Sequence, residues 1–423
     1  MWLVPDKDQF AGTAKDIKQG EKMRYTLMNA EHEVIDFDID LDNRMIKDIG
    51  EVKEPQYAPV YFNGSDDIKH SLYILLSSRT LSGSRRDTAD IIKALSLSNE
   101  LELSVYSLGL SLTDCYWYKP EGASLDWRKV NCFERDYDTS MGEAILRCDY
   151  DALKKADPLA PDLTLGGISK KAWINPDGVP MLLKAEAGEA RIVEQAELLS
   201  SRLTERLLDE KDYISYRHID FEGESYLACR GMIKNYEEFI PAAHILEMID
   251  LPNDCYSFKA ISKEKKHLNT LTEALEKMGL ENITAYYAKL GAVFDLTLAG
   301  DSHSDNFGFI RDLKTLKLRP APLFDRGRSF GSFGQPKENG EISAAKSAIS
   351  ATKVMFLMML FNSVILYPEW DYSWYDPKKI DGFHKDIDTY LGGCEDAPEE
   401  YRILLKAAFD YQLDYLNKAA GIR

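Results

Sequence analysis

Hydrophobic spacing divides the chain into three stretches. Over residues 1–150 the pattern is mixed. EVIDFDIDLDNRMIKDI, residues 33–49, alternates like a strand and then turns to a helical spacing. DTADIIKALSL, 87–97, has the apolar repeat of a helix, and SLTDCYWYKP, 111–120, reads as a packed aromatic turn or short strand. Residues 151–235 read as strands around one helix. LTLGGISKKAWI, 163–174, sets a glycine turn between apolar flanks. VPMLLKAE, 179–186, is a strand in which Met181, Leu182 and Leu183 lead to Lys184. EARIVEQAELLSSRLTERLLDE, 189–210, is an amphipathic helix with Ile192, Val193, Ala196, Leu199, Leu203 and Leu207 on one face. DYISYRHIDFEGESYLACRGMI, 212–233, gives two strands about an EGES turn.

Residues 236–423 are mostly helical, with helices expected over 264–278, 282–298, 344–366 and 398–419. A non-helical, polar block at 300–335 is set among them. Irregular segments held by a rigid scaffold are where function concentrates.

Composition narrows the class. The 423 residues are 44% apolar, with 23 Tyr, 17 Phe and 6 Trp, which is enough for real cores in two or three domains. The net charge, 52 minus 70 or −18, argues against a general grip on DNA or RNA. Short basic runs such as SSRTLSGSRR, 77–86, read as solvated loop. The N-terminus shows no basic region followed by an apolar leader. VMFLMMLFNSVILY, 354–367, is too short to span a bilayer and reads as a buried helix. Six scattered cysteines without a CxxC pair fit reduced thiols and give no zinc signal. A cytoplasmic protein with no membrane contact is the expectation.

The block at 300–335 carries the chemistry. AGDSHSDNFGF, 299–309, gathers Asp301, Ser302, His303, Ser304, Asp305 and Asn306 just before Phe307 and Phe309. APLFDRGRSFG, 321–331, sets Asp325 after Leu323 and Phe324. The residues between read as two short strands joined through RDLKT. A hairpin of that kind returns Asp325 to the side of Asn306, so Asp301, Asn306 and Asp325 would share one site. Oxygen donors of this kind suit magnesium, which prefers one or two carboxylates with phosphate oxygens and water. The remaining aspartate can hold a hydroxyl in line, as phosphoryl transfer requires.

Upstream residues supply further parts. Lys184 can meet phosphate oxygens, and Glu197 on the following helix can hold it by an ion pair, with Glu194 as the rival partner. Gly166 and Gly167, with Lys170 just after, form a turn whose N–H groups could approach a phosphate. Taken singly, each piece has a plainer reading. His303 would be a buried hydrogen-bonded histidine, Asp301 a turn or cap residue, Lys184 a side chain snorkelling to solvent, and Asp305 a cap. Only the order of glycine turn, strand lysine, helix glutamate, Asp…Asn and Asp makes them a set.

That order resembles the HipA-like branch of the protein-kinase-like fold. The matching pieces are the turn around Gly166, Gly167 and Lys170, the strand ending Leu182-Leu183-Lys184, ELLSSRL from Glu197, DSHSDNFGF and APLFDRG. EEFIPAAHIL, 237–246, and LSLTDCYWYKP, 110–120, match further segments of such proteins. The resemblance implies an α+β chain with a bilobed kinase-like fold. It would comprise an N-terminal α/β subdomain of unknown role (1–150), a β-rich lobe (151–235) and a helical lobe (236–423). It implies an ATP- and Mg²⁺-dependent transferase acting on a protein Ser/Thr hydroxyl or on itself, with a toxin-like role and an antitoxin-type partner.

Carried over by position, Asp301 orients or deprotonates the acceptor hydroxyl, and Asn306 and Asp325 hold Mg²⁺. Lys184 contacts the α/β phosphates, oriented by Glu197, and Gly166, Gly167 and Lys170 form the phosphate loop. Adenine lies against backbone near Met232, Ile233 and Lys234, and His303 is a structural member of the loop. Ser302 stands where many relatives have a basic residue, and Ala299 where an asparagine is common, so acceptor preference and rate are open. Thr164 lies near the place where some relatives phosphorylate themselves. Three alternatives stand beside this reading: a kinase for a small molecule or lipid head group, a silent kinase-fold scaffold, and a metal hydrolase using Asp301, His303 and Asp325.

Overall fold

The computed structural model describes residues 23–83, 85, 87–134, 138–167, 169–185, 191–252, 254–331, 363–395 and 397–422. The chain is α+β, as expected, with three sheets among the described residues and a helix-rich C-terminal half. It divides into two compact units: Met1–Ala187 with Asp220–Phe239 and Asp312–Leu316, and Gly188–Ile219 with Ile240–Arg311 and Lys317–Arg423.

The first unit opens on strands β1 (Met23–Asn29), β2 (His32–Asp40) and β3 (Met45–Ile49), joined later by β4 (Tyr116–Pro120) in the order β3-β2-β1-β4. Alternation buries Tyr25 and Leu27 of β1 with Ile35, Phe37 and Ile39 of β2. Leu72, Leu75 and Leu76 of α1 (Ile68–Ser78) join the same core. Each such side chain contributes about 1.5–3 kcal/mol when fully buried. The helical turn expected before residue 49 is instead strand β3. Asp40 accepts from the backbone and side-chain nitrogens of Asn43, both at 2.9 Å, and so closes a turn. Ile46 then pairs with Ile39. Tertiary pairing has overridden a local helical spacing.

Helices α2 (Thr88–Ala94), α3 (Glu100–Tyr106) and α4 (Ser140–Arg147) follow. A second sheet has the order β5-β6-β8-β7, formed by β5 (Lys171–Ile174), β6 (Met181–Lys184), β7 (Tyr216–Phe221) and β8 (Glu224–Arg230). The β7–β8 turn falls on Glu222 and Gly223, with φ of 52° and 85°, as a tight two-residue hairpin requires.

A buried acid lies beneath β5. Asp162 is fully buried; its Oδ1 accepts from the Trp173 N–H at 2.7 Å, while Oδ2 has no partner among the described residues. Burial pushes its carboxyl up to about 7. The folded state therefore holds this proton more tightly than the unfolded chain, and stability falls as pH rises from about 4 to 7. Asp162→Asn removes the ionisation. At pH 8 the variant is expected to be more stable than the parent by on the order of a few kcal/mol, and the difference is expected to vanish near pH 4. Urea unfolding at both pH values measures it, and a pH-independent difference would refute the assignment.

The second unit is built on helices α5 (Arg191–Leu207), α6 (Ala242–Met248), α7 (Phe258–Lys263), α8 (Lys265–Lys277), α9 (Ile283–Leu296), α10 (Phe383–Leu391) and α11 (Glu399–Ala419). Helix α9 is buried on nearly every side, with eleven of its fourteen residues inside, so it is the unit's central element. Within the unit β10 (Gly308–Asp312) and β11 (Leu318–Pro320) pair antiparallel through Phe309–Arg311 and Leu318–Pro320; β9 (Glu237–Pro241) is the remaining strand.

Most of the helix expected at 344–366 lies outside the described residues, but its end, 363–366, is not helical. There Val364 N–H donates to Asp295 Oδ1 at 3.0 Å, Ile365 N–H to Ser262 Oγ at 3.0 Å, and Leu366 N–H to the Tyr415 hydroxyl at 3.1 Å. Side chains of three helices replace the bonds a helix would make. Gly291 permits the approach, since a Cβ there would fall 2.7 Å from Leu366. No helix among the described residues is long and apolar enough to cross a membrane.

Candidate active site

The segment after α9 is held along its whole length. Phe330 N–H donates to Thr297 O at 2.7 Å, and Gly300 N–H to Arg328 O at 2.9 Å. Lys259 Nζ donates to Ala299 O at 2.6 Å. Phe258 N–H donates to Ser302 O at 3.1 Å, and Ser304 N–H to Tyr256 O at 2.9 Å. Farther along, Asn306 N–H closes onto His303 O at 2.9 Å, and Ala242 N–H reaches Phe307 O at 2.9 Å. Ser302 and Ser304 point inward, whereas Asp301 and Asn306 are half-exposed. His303 is exposed, with Nδ1 2.9 Å from the Asp305 carboxylate, and its ring lies 6.1 Å from that of Tyr256.

The expected hairpin follows. β10 and β11 pair antiparallel, with Phe309 opposite Pro320 and Arg311 opposite Leu318. Ala321 N–H then donates to Gly308 O at 3.0 Å. Asp325 comes next, half-exposed, with φ of +52°. Its N–H donates to the Tyr216 hydroxyl at 3.2 Å. Few residue types other than glycine, asparagine and aspartate accept that backbone readily.

Glu197 grips the residues beyond. It is 4% exposed on the inner face of α5, and its Oε1 accepts from Arg326 N–H at 2.7 Å. A Cβ on Gly327 would lie 3.0 Å from Glu197 Oε2 and 3.2 Å from Val193 Cγ1, so that glycine allows the close approach. Glu194, one turn earlier, pairs at 3.0 Å with His218.

Arg326 itself is buried, its guanidinium 4.2 Å from the centre of the Phe294 ring. None of its three side-chain nitrogens has a hydrogen-bond partner among the described residues. Burial draws it down to about 10. The second unit thus joins residues 297–300 to 328–330, Gly308 to Ala321, and Glu197 to the residues after Asp325.

The remaining expected site residues lie in the first unit. Lys184 ends β6, half-buried, opposite Lys171 on one side and Leu227 on the other. Gly166 has open space where a Cβ would be, and Gly167 has φ of +89°. Lys171 Nζ donates to Gly166 O at 3.2 Å, and half-buried Lys170 reaches Cys148 Sγ at 2.6 Å. After β8, Met232 is half-buried, Ile233 buried and Lys234 exposed. The Lys234 N–H donates to Glu237 Oε2 at 2.9 Å, and its carbonyl accepts from Glu237 N–H at 3.0 Å. The Thr164 hydroxyl donates to Leu110 O at 2.8 Å and Pro161 O at 3.0 Å.

Sequence reasoning overlooked Lys259, Arg326 and Tyr216. Lys259 stands in the apolar segment SFKAI and Arg326 in the charged segment FDRGR, and in either a long cation is ordinarily expected to reach solvent. Among the described residues no three His, Cys, Asp or Glu side chains gather as a metal cage, so the hydrolase alternative finds no ligand set there.

No protein-family model matches the chain, and no curated protein matches it. Solved structures overlap it loosely. The proinflammatory kinase CtkA of Helicobacter pylori aligns over 59% of this chain and 94% of its own, at 13% identity and a TM-score of 0.40. HipA of Shewanella oneidensis MR-1, from a toxin–antitoxin complex with HipB and operator DNA, aligns over 94% of this chain and 98% of its own, at 13% identity and a TM-score of 0.46. Overlaps this loose carry no argument about chemistry, which rests on the residues themselves.

Proposed function

We propose that the protein is a magnesium-dependent phosphotransferase that moves the γ-phosphoryl group of ATP to a Ser or Thr hydroxyl of a protein. The observation that supports this best is the shared backbone frame of the second unit. Asp301, Asn306 and Asp325 all project from segments bonded to one another, and Glu197 secures the residues just after Asp325. Three oxygen-bearing side chains, all half-exposed, stand on rigid supports.

In this reading Asp301 accepts a hydrogen bond from the acceptor hydroxyl and takes its proton as the new P–O bond forms and the bond from the γ-phosphorus to the β,γ-bridging oxygen breaks, releasing ADP. Asn306 and Asp325 would hold magnesium. One carboxylate and one amide oxygen, both reachable from solvent, fit a hard cation that keeps water and phosphate in its remaining positions. When bound, the ion would offset negative charge on the phosphate oxygens. Lys184 is proposed to contact the phosphates, with Gly166, Gly167 and Lys170 as the phosphate turn. Adenine is proposed to meet the backbone of Met232 and Ile233, because both backbone groups of Lys234 are engaged by Glu237. Thr164 is a poor acceptor in this conformation, since its one hydroxyl proton is shared between two carbonyls. A toxin-like role with an antitoxin-type partner belongs to the same proposal. Direct nucleic-acid binding does not, given the charge of −18.

Thermal unfolding with ATP tests the reading. Mg-ATP at about 100 times its dissociation constant is expected to add about 2.7 kcal/mol of stability. ATP with excess EDTA is expected to add much less. No shift at several millimolar Mg-ATP, or an equal shift without magnesium, would count against the proposal.

A further inference from the structure

We infer that Lys259 is a positioning residue for Asp301: from α7 it fixes the Ala299–Gly300 peptide and so sets the direction in which the aspartate is presented. The inference rests on the phosphoryl-transfer reading and adds a part which that reading lacks. The Ala299 carbonyl accepts from Lys259 Nζ at 2.6 Å, and the N–H of the same peptide, on Gly300, donates to Arg328 O at 2.9 Å. A peptide is a rigid plane, so holding both its oxygen and its N–H fixes that plane. Glycine supplies no restraint of its own, and Asp301 is the next residue. On the far side, Ser302 O accepts from Phe258 N–H at 3.1 Å, and Ser304 N–H donates to Tyr256 O at 2.9 Å. Residues 256–259 therefore grip the loop on both sides of Asp301.

The choice of lysine is informative. Lys259 is 6% exposed, and burial lowers its pKa. Asp295 on α9 favours its charge, while Lys263 and Arg326 oppose it. An apolar side chain at this position would fill the core without that electrostatic cost. The cation is spent instead on one backbone carbonyl, through a charge-assisted bond of the stronger kind. That bond acts on the residue beside Asp301.

The test compares Lys259→Met and Lys259→Arg with the parent protein. Two readouts are taken: hydrogen exchange at the Gly300 amide without nucleotide, and transfer kinetics with Mg-ATP. Lys259→Met is expected to lower kcat roughly 30- to 100-fold, the effect of a small misplacement of a reacting group. KM for ATP is expected to stay within about threefold, because ATP is not bound by this carbonyl. Exchange at Gly300 is expected to speed up about tenfold or more as local opening becomes easier. Lys259→Arg keeps a donor and a charge and is expected to recover most of both.

A folded Lys259→Met variant with parental kcat and parental exchange would overturn the inference. So would losses in kcat that arginine does not restore. If methionine prevents folding, Lys259→Gln, which keeps a donor without the charge, takes its place, and failure of both to fold would reduce Lys259 to a folding role. If the parent protein transfers nothing, the phosphotransferase reading falls, and exchange at Gly300 still reports whether Lys259 holds that peptide.

Discussion

Asp325→Asn is expected to abolish the magnesium-dependent part of ATP binding and to lower phosphoryl transfer by on the order of 10³-fold or more. Asparagine is the informative substitute. Residue 325 has φ of +52°, a backbone that asparagine tolerates almost as well as aspartate, whereas alanine there would add strain of about 1 kcal/mol. The bond from residue 325 to Tyr216 uses the backbone N–H and survives the change. One stability effect is expected in the nucleotide-free protein. Asp325 is among the anions that support the buried Arg326 charge, so its neutralisation is expected to cost stability, though no more than about 1 kcal/mol. Calorimetric titration with ATP, with and without magnesium, separates the binding effect from stability. Undiminished magnesium dependence in a folded variant would remove Asp325 from the proposed metal site.

The sequence made the acidic residues legible and hid their supports, for a physical reason. Asp301 and Asn306 stand in a short polar stretch before Phe307 and Phe309, Asp325 follows the apolar Leu323 and Phe324, and the β10–β11 hairpin between them reads as two short strands joined through a polar turn. The amphipathic helix around Glu197 was equally plain, since Ile192, Ala196, Leu199, Leu203 and Leu207 repeat on one face and all are buried. What Glu197 grips was not visible, because a bond to the backbone of residue 326 leaves no mark on residue type at 326. The same blindness covers Lys259, whose partner is a carbonyl. At residues 45–49 the error was different: the local spacing suited a helix, but a neighbouring strand offered ladder bonds and a buried place for Ile46. Long-range pairing of that kind cannot be read from a window of ten residues. Residues 363–366 failed likewise, since their N–H groups are met by side chains from Asp295, Ser262 and Tyr415.

Asp301→Asn is expected to separate transfer from binding. If Asp301 works on the acceptor hydroxyl and Asp325 on the metal, the variant keeps the affinity of the parent for Mg-ATP and loses on the order of 10²–10⁴-fold in kcat, the usual contribution of a positioned proton acceptor. Its fold is expected to persist. The only hydrogen bond to the Asp301 side chain among the described residues is a long one, 3.4 Å from the His303 N–H, which an amide oxygen can also accept. The variant also exposes how the loop is built. Lys259 acts on Asp301 through the Ala299–Gly300 peptide, so its effect on kcat depends on there being a carboxylate to aim. In the Asp301→Asn background, Lys259→Met is expected to lower kcat by less than about threefold, far below its effect in the parent, because residues that act as a unit are not additive. Exchange at Gly300 is expected to rise as much as in the single variant, since the peptide is released either way. Full additivity in kcat, with the two losses multiplying, would mean that Lys259 serves the reaction by some route other than the aspartate beside it.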